Sequence, residues 1–337
     1  MKAVVYTEYG SPDVLHLKEV PTPSPKDNEV LIRIRANSVN IGDIWARDFG
    51  SITPRKFSMP ILFWLPARLT FGFNKPKKQI LGNEFAGEVT EVGKDVRRFK
   101  VGDPVFGYRG MNMGANAEYL CMPADGLVAH KPANMSYEEA ATVPGGAMTA
   151  LNLLRKVDIQ RGQKVLINGA SGGIGSYALQ LAKYYGAEVT GVCSTPGMER
   201  VKALGADRVI DYTKEDFTKN GETYDLIFDI MGKSSFARLK NSLKPNGRYL
   251  LASFKMKQLF QMLVTSRSGG KKVICALSSE NLEDLLLVKE LVEAGTIKSI
   301  IDRCYPLEQA ADAHRYYESG LKRGQVVITL EHNKSIR

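Results

Sequence analysis

The sequence predicts an α/β chain of two domains, a β-rich barrel-like domain followed by a doubly wound parallel sheet, and three observations carry that prediction. Short strand-like runs punctuated by glycine and proline fill the chain up to about Met122. Strands and helices alternate from about Pro123 onward. Between the first of those strands and the first helix lies a glycine-rich turn, Gly169-Ala-Ser-Gly172-Gly173-Ile174-Gly175.

In the first part, Val30, Ile32 and Ile34 share one strand face while Arg33 and Arg35 take the other, the period of two of a half-buried strand. Pro21, Pro23, Pro25, Gly93, Gly102-Asp103-Pro104 and Gly107 mark its turns. In the second part, Lys164 to Asn168 is an apolar strand, and Ile174, Ala178, Leu181, Ala182 and Tyr185 recur at helical spacing behind it. Further strands are expected at 188–192, 208–210, 225–230, 248–252 and 272–276, with a helix at 198–204. The tail opens with a helix, Leu282 to Glu293, and closes with a strand, Gln325 to Leu330.

With 337 residues, 44% apolar content and 24% charge, the chain suits a folded two-domain enzyme rather than a disordered segment. Its start, MKAVVYTEYG, reads as strand and predicts no secretory leader, and no run approaches the roughly 20 apolar residues of a membrane span. Cys121, Cys193, Cys275 and Cys304 are far apart without a C-x-x-C pair, which argues against a disulfide framework or zinc knuckle. A reducing, cytoplasmic setting is expected. The net charge of +10 is unevenly spread: Phe49 to Asn83 holds no Asp or Glu, while Arg55, Lys56, Arg68, Lys75, Lys77 and Lys78 mingle with Phe57, Phe63, Trp64, Phe71 and Phe73. No nucleic-acid partner is expected.

Glycines in the turn allow a tight bend and a close backbone approach to a pyrophosphate, and the helix N-terminus offers free N–H groups. The same residues also spell G-x-S-x-G, so Ser171 with Asp229 and His314 offers a remote alternative, an α/β-hydrolase elbow. Gly175, however, is required by a dinucleotide turn and not by an elbow. The second strand ends at Val192-Cys193-Ser194-Thr195-Pro196, with no acid to repel a 2′-phosphate and with Arg200 and Lys202 close behind. NADPH is therefore the expected cofactor, with NADH second, although Ser194 equally suits a helix cap.

KAVVYTEYGSPDVLHL, GNEFAGEVTEVG, FKVGDPVFG, NAEYLCMPAD, GGAMTALNLL, VLINGASGGIG, KALGADRVIDY and the YPLEQAADAHRYYESGLKRGQVVITL tail together resemble the medium-chain dehydrogenase/reductase superfamily, in its zinc-free quinone oxidoreductase-like branch. The resemblance covers nearly the whole chain. It implies a GroES-like catalytic domain at 1–122 and 279–337 around a Rossmann domain at 123–278. In the superfamily's zinc alcohol dehydrogenases, His and two Cys bind the metal; the corresponding positions here are Asn83, Asn40 and Gly145, so no metal site and no zinc are expected. Without a metal to polarise a simple carbonyl, the implied acceptors are quinones and α,β-unsaturated carbonyls, whose conjugation spreads the charge left by a hydride.

By resemblance, Asn40 and Asp43 lie beside the nicotinamide end of the cleft, or else serve as turn residues. Thr149 would bond the cofactor's ribose or amide, and Gly172, Gly173 and Ile174 its pyrophosphate. Tyr212 would lie near the adenosine phosphate, and Gly232, Ser253 and Gln325 near nicotinamide or its ribose, or serve only in packing. Trp45 replaces a tyrosine common in quinone reductases and is a poor proton donor. Gly197 replaces a basic phosphate-binding residue, which weakens the preference for NADPH. The connection from Ser51 to Gln79 is long. It reads as a lid over an apolar pocket, as a peripheral membrane contact through 54–78, or as an oligomer surface. Relatives pair the last Rossmann strand, here VICAL, so a homodimer is implied. A low-activity nucleotide-binding structural or regulatory protein is the other reading of the same fold.

Overall fold

Alternation along the chain builds the first sheet. The computed structural model describes residues 1–267 and 269–331; tail residues 332–337, assigned above to the first domain, lie outside the described residues. Strands β1 (Lys2–Val5) and β2 (His16–Glu19) form an antiparallel pair. Next come β3 (Glu29–Val39), α1 (Ile41–Arg47), α2 (Trp64–Phe71), β4 (Glu84–Val92), β5 (Pro104–Tyr108), β6 (Tyr119–Pro123) and β7 (Val128–His130). As the period of two requires, Val30, Ile32 and Ile34 are fully buried, while Arg33 and Arg35 turn to the other face and both pair with Glu88.

The connection from Ser51 to Gln79 holds a helix rather than loop alone. Inside α2, Phe71 packs against Phe49 with ring centroids 5.1 Å apart and the rings tilted by 40°, Arg68 lies over the rings of Phe49 and Trp64, and the Trp64 indole donates to the Ile52 carbonyl at 2.9 Å. Its outward positions Leu65 and Leu69 are apolar as well, so no one-sided period announces the helix.

The second sheet follows α3 (Tyr137–Ala140) and α4 (Pro144–Arg155), with elements β8 (Lys164–Asn168), α5 (Gly173–Tyr184), β9 (Glu188–Cys193), α6 (Met198–Ala203), β10 (Arg208–Asp211), β11 (Tyr224–Asp229), α7 (Phe236–Leu239), β12 (Leu243–Leu251), α8 (Met256–Arg267) and β13 (Lys272–Cys275). All six strands are parallel, in the order β10-β9-β8-β11-β12-β13. This is the doubly wound dinucleotide order, whose direction reverses between β8 and β11. The chain then returns through α9 (Leu282–Glu293), β14 (Ile301–Pro306), α10 (Ala310–Glu318) and β15 (Gln325–Thr329). β14 and β15 complete a seven-stranded sheet ordered β14-β15-β3-β4-β5-β7, with β6 against β3; the sheet thus extends past residue 122. One apolar cluster joins the two parts, with Ala36, Ala86 and Phe106 from the first sheet packed with Ala147, Met148 and Leu151 of α4. The two parts are therefore joined by packed side chains.

Candidate active site

At the reversal point the strand ends are tied together, the Asn168 amide donating to Asp229 Oδ1 at 3.0 Å. The glycine turn leaves β8 there. Gly169 has φ +95°, and a Cβ on Gly175 would overlap the Gly169 carbonyl and lie 2.8 Å from its carbon, so both positions require glycine. Gly173 differs: a Cβ there would meet nothing within 4 Å. The N–H groups of Gly173, Ile174 and Gly175 open α5 without an acceptor among the described residues, at the positive end of the helix dipole. Such a helix terminus can hold an anionic group.

Beside it is a cavity of about 500 Å³, lined by Gly169, Gly172, Ser194 and Tyr212 together with Thr218, Lys233 and Arg238. Ser194 occupies the cap position of the next turn but makes no capping bond with its side chain, which leaves its hydroxyl for another partner. Lys233, between β11 and α7, and Arg238, on α7, carry no local signal, because only the placement of β11 beside β8 brings them to this cavity. The same cavity holds Glu215 and Asp216; Arg238 donates to Asp216 at 2.6 Å and holds its carboxyl down to about 2. Gly197 lies beneath the turn, where a Cβ would be 2.8 Å from the Ser171 Cβ and 3.3 Å from the Cys193 Cβ.

Arg200 does not line this cavity. One guanidinium nitrogen donates to the Ser171 carbonyl, while Nε and Nη1 are buried without an acceptor, in a small cleft shared with Gly172, Gly173 and Gln325. Lys322 is close enough for burial and the Arg200 charge to lower its pKa to about 8. Unsatisfied buried donors beside the turn fit an anionic group. Lys202 is exposed.

A second cluster surrounds Asn83 and Glu84, which are both buried. Asn40 caps α1, and Asp43 completes the capping box by accepting from the Asn40 N–H at 3.0 Å. Asp43 also accepts from the Gly82 N–H at 2.9 Å, and burial raises its pKa to about 6. The Asn40 side-chain amide donates to Asn83 Oδ1 and lies 3.4 Å from Glu84 Oε2. Glu84 accepts from the Ser38 hydroxyl and, at 2.6 Å, from the Gly145 N–H at the start of α4. Burial is the main cause that pushes its pKa up to about 7. A Cβ on Gly145 would lie 2.5 Å from Glu84 Oε1 and 2.8 Å from the Tyr108 ring. Ser38 and Tyr108 were not anticipated as neighbours.

Thr149 is half-buried one turn beyond Gly145 on α4 and shares its face. Trp45 is half-buried on α1. Gly232, at φ +62°, packs against Ser253 so closely that a Cβ would overlap the Ser253 carbonyl. The Ser253 hydroxyl in turn donates to the Ser58 carbonyl at 3.1 Å, which joins the basic aromatic segment to the end of β12.

The hydrolase triad is not assembled. Asp229 accepts from Asn168, Gly232, Ser234 and Tyr249. His314 is fully buried against Arg47 at 3.0 Å, and burial with that charge lowers its pKa to about 3, useless for a base at neutral pH. Arg47 also pairs with Glu318 at 2.8 Å and donates to the Gly10 carbonyl. Arg47→Met is expected to cost about 3 kcal/mol by stranding these partners, measured by urea unfolding; a loss too small to resolve would show that the network is not holding the domain.

Residues 26–133 match the family described as alcohol dehydrogenase GroES-like domain, and residues 204–328 match zinc-binding dehydrogenase. The chain is 34% identical to 2-methylene-furan-3-one reductase of Solanum lycopersicum, over 97% of this chain and 79% of that protein. It is 31% identical to the NADPH-dependent alkenal/one oxidoreductase, chloroplastic, of Arabidopsis thaliana, with the same coverage of 97% and 79%. The chain belongs to the medium-chain dehydrogenase/reductase superfamily. The solved quinone oxidoreductase from Coxiella burnetii superposes on this medium-chain reductase with a TM-score of 0.82, at 31% identity, covering 98% of this chain and 99% of that one. The chain is thus an oxidoreductase that takes a nicotinamide cofactor. Zinc fits it poorly: Asn40, Asn83 and Gly145 supply no thiolate or imidazole, and no group of three His, Cys, Asp or Glu among the described residues could hold a metal. No helix among the described residues is long and apolar enough to cross a membrane.

Proposed function

We propose that this chain reduces quinones or α,β-unsaturated carbonyls with NADPH by direct hydride transfer, without zinc. The observation that carries the reading is the Asn40–Asn83–Glu84 cluster. It puts amides and a buried carboxyl where a metal would need thiolate and imidazole, next to a complete dinucleotide cradle. NADPH, when bound, supplies the hydride. Gly173, Ile174 and Gly175 would hold its pyrophosphate by their N–H groups, and Ser194, Tyr212, Lys233 and Arg238 its adenosine phosphate. Gly232, Ser253, Gln325 and Thr149 would flank the nicotinamide end. Asn40, braced by Asp43 and Asn83, directs an amide into the cleft wall, and Trp45 borders the acceptor. NADH stays a second choice, because Gly197 leaves one wall uncharged and Glu215 and Asp216 offset the cations on the other, which weakens the preference for a 2′-phosphate.

The test is NADPH oxidation by the purified protein in chelator, against quinones, enals and enones, with NADH in parallel. Turnover unchanged by chelator supports metal-free reduction, and the acceptor ranking chooses between quinone and alkene chemistry. NADPH bound with no acceptor reduced would favour the low-activity nucleotide-binding alternative instead.

A homodimer through the free edge of β13 completes the proposal, with a monomer in light scattering as the refuting result. Four free cysteines suit a reducing, cytoplasmic setting. A peripheral membrane contact through residues 54–78 would bring lipophilic acceptors to the cleft.

A further inference from the structure

The basic aromatic segment has a counterpart that strand order places beside it. From Met231 to Ser279 the chain again holds no Asp or Glu, and ten Lys and Arg; with the six cations between Phe49 and Asn83, these stretches account for the positive charge and leave the rest of the chain net acidic. The two stretches meet where the Ser253 hydroxyl donates to the Ser58 carbonyl and the Lys255 ammonium to the Arg55 carbonyl at 3.4 Å. An apolar element starts within a few residues of each side of that junction.

On the Ser58 side, Ile61, Leu65 and Leu69 are spaced i, i+4, i+8 along the turn into α2 and are 57%, 53% and 55% exposed. On the Ser253 side, Met256, Phe260, Leu263 and Val264 fall at i, i+4, i+7, i+8 of α8 and are 49%, 68%, 56% and 53% exposed. The opposite face of α8 is the packed one, with Leu259, Met262 and Thr265 set against the second sheet. A surface helix normally turns its apolar stripe inward and its polar residues to water. Here the outward stripe is apolar and is flanked by Lys255, Lys257 and Arg267.

We propose that α2 and α8 together form a docking face for an anionic lipid bilayer, with both apolar stripes inserted at the interface and the acid-free surroundings held to lipid headgroups. This rests on the peripheral contact proposed above and extends it to a second helix and to a lipid class. Apolar residues within a ring of cations fit an anionic interface. A second copy of the chain fits this helical face less well, since it would set Lys255, Lys257 and Arg267 against their own counterparts. The junction at Ser253 adjoins Gly232 at the nicotinamide end, so docking sets the mouth of the cleft against the lipid phase.

The test is sedimentation of the full chain with phosphatidylcholine vesicles, with and without phosphatidylserine. Binding is expected only to the anionic vesicles and is lost at high salt. Phe260→Ser with Leu263→Ser, and separately Ile61→Ser with Leu65→Ser, should each lower the bound fraction at least about tenfold, with melting temperatures unchanged. Equal binding to neutral vesicles overturns the proposal. So does an effect confined to the α2 pair, or a halved mass in light scattering for the α8 pair, which would make that face a subunit contact. Reduction of a water-soluble quinone by the α8 pair reports on the reductase reading separately, since neither Phe260 nor Leu263 lines the cavity beside the glycine turn or the cleft at Arg200.

Discussion

Gly173→Asp is expected to abolish dinucleotide binding while leaving the fold intact. The glycines of the turn divide into two kinds. Gly169 and Gly175 are needed by the chain itself, one for its positive φ and the other for its approach to the Gly169 carbonyl, so a side chain there breaks the turn. Gly173 has an ordinary φ and open space around its Cβ position. An aspartate in the first turn even complements the helix dipole and should be neutral or mildly stabilising. Its carboxylate would, however, occupy the space of the pyrophosphate with the same sign of charge and consume the free N–H groups. Loss of NADPH affinity by at least about 100-fold, or about 3 kcal/mol, is the expected result, read by fluorescence titration beside an unchanged melting curve. Affinity retained within a few-fold would show that the cofactor does not use this helix terminus.

The second large effect concerns Glu84. Its carboxyl is 4% exposed and titrates near 7 in the folded chain, against an ordinary value of 4.5. Between those values the folded chain holds the proton and the unfolded chain has lost it, so stability is complete below about 4.5 and declines as pH rises through 7. A gap of about 2.5 pH units corresponds to about 3 kcal/mol at pH 8. Glu84→Gln removes the ionisation and keeps the shape. Its amide oxygen can accept from the Gly145 N–H, and its amide nitrogen can donate to a rotated Ser38 hydroxyl. The variant should therefore melt about 5 °C higher than the parent at pH 8, with little difference at pH 5. Asp43, which is raised in the same direction, leaves a residual decline in both proteins. Equal melting temperatures at pH 8 would mean that the carboxylate is solvated, and with it that the cleft wall is wet.

Much of the architecture was readable from period and punctuation. Val30, Ile32 and Ile34 announced β3, and the glycine turn with its alternating elements announced the second sheet, because each signal is local. The α2 helix was not announced, since it is apolar on both faces and contains Pro66, so no single stripe marks it. The site divides in the same way. Turn glycines and the end of β9 lie within one βα unit and could be read directly. Contacts of Glu84 with Ser38 and Gly145 bridge 46 and 61 residues, and depend on how β3, β4 and the start of α4 come together. Lys233 and Arg238 reach the cavity beside the turn only because β11 follows β8 in the sheet rather than β10.

The crowding beneath the turn at Gly197 bears on how coenzyme preference can change over evolution. A lysine or arginine cannot be installed there by one substitution without displacing Ser171 and the turn it belongs to. Any lineage or design seeking stricter discrimination against NADH must therefore work from the facing wall, through Lys233, Arg238 and the carboxylates beside them. On the proposed reading, selectivity in this chain is open to adjustment at Lys233 and Arg238 across the cavity, and closed at Gly197.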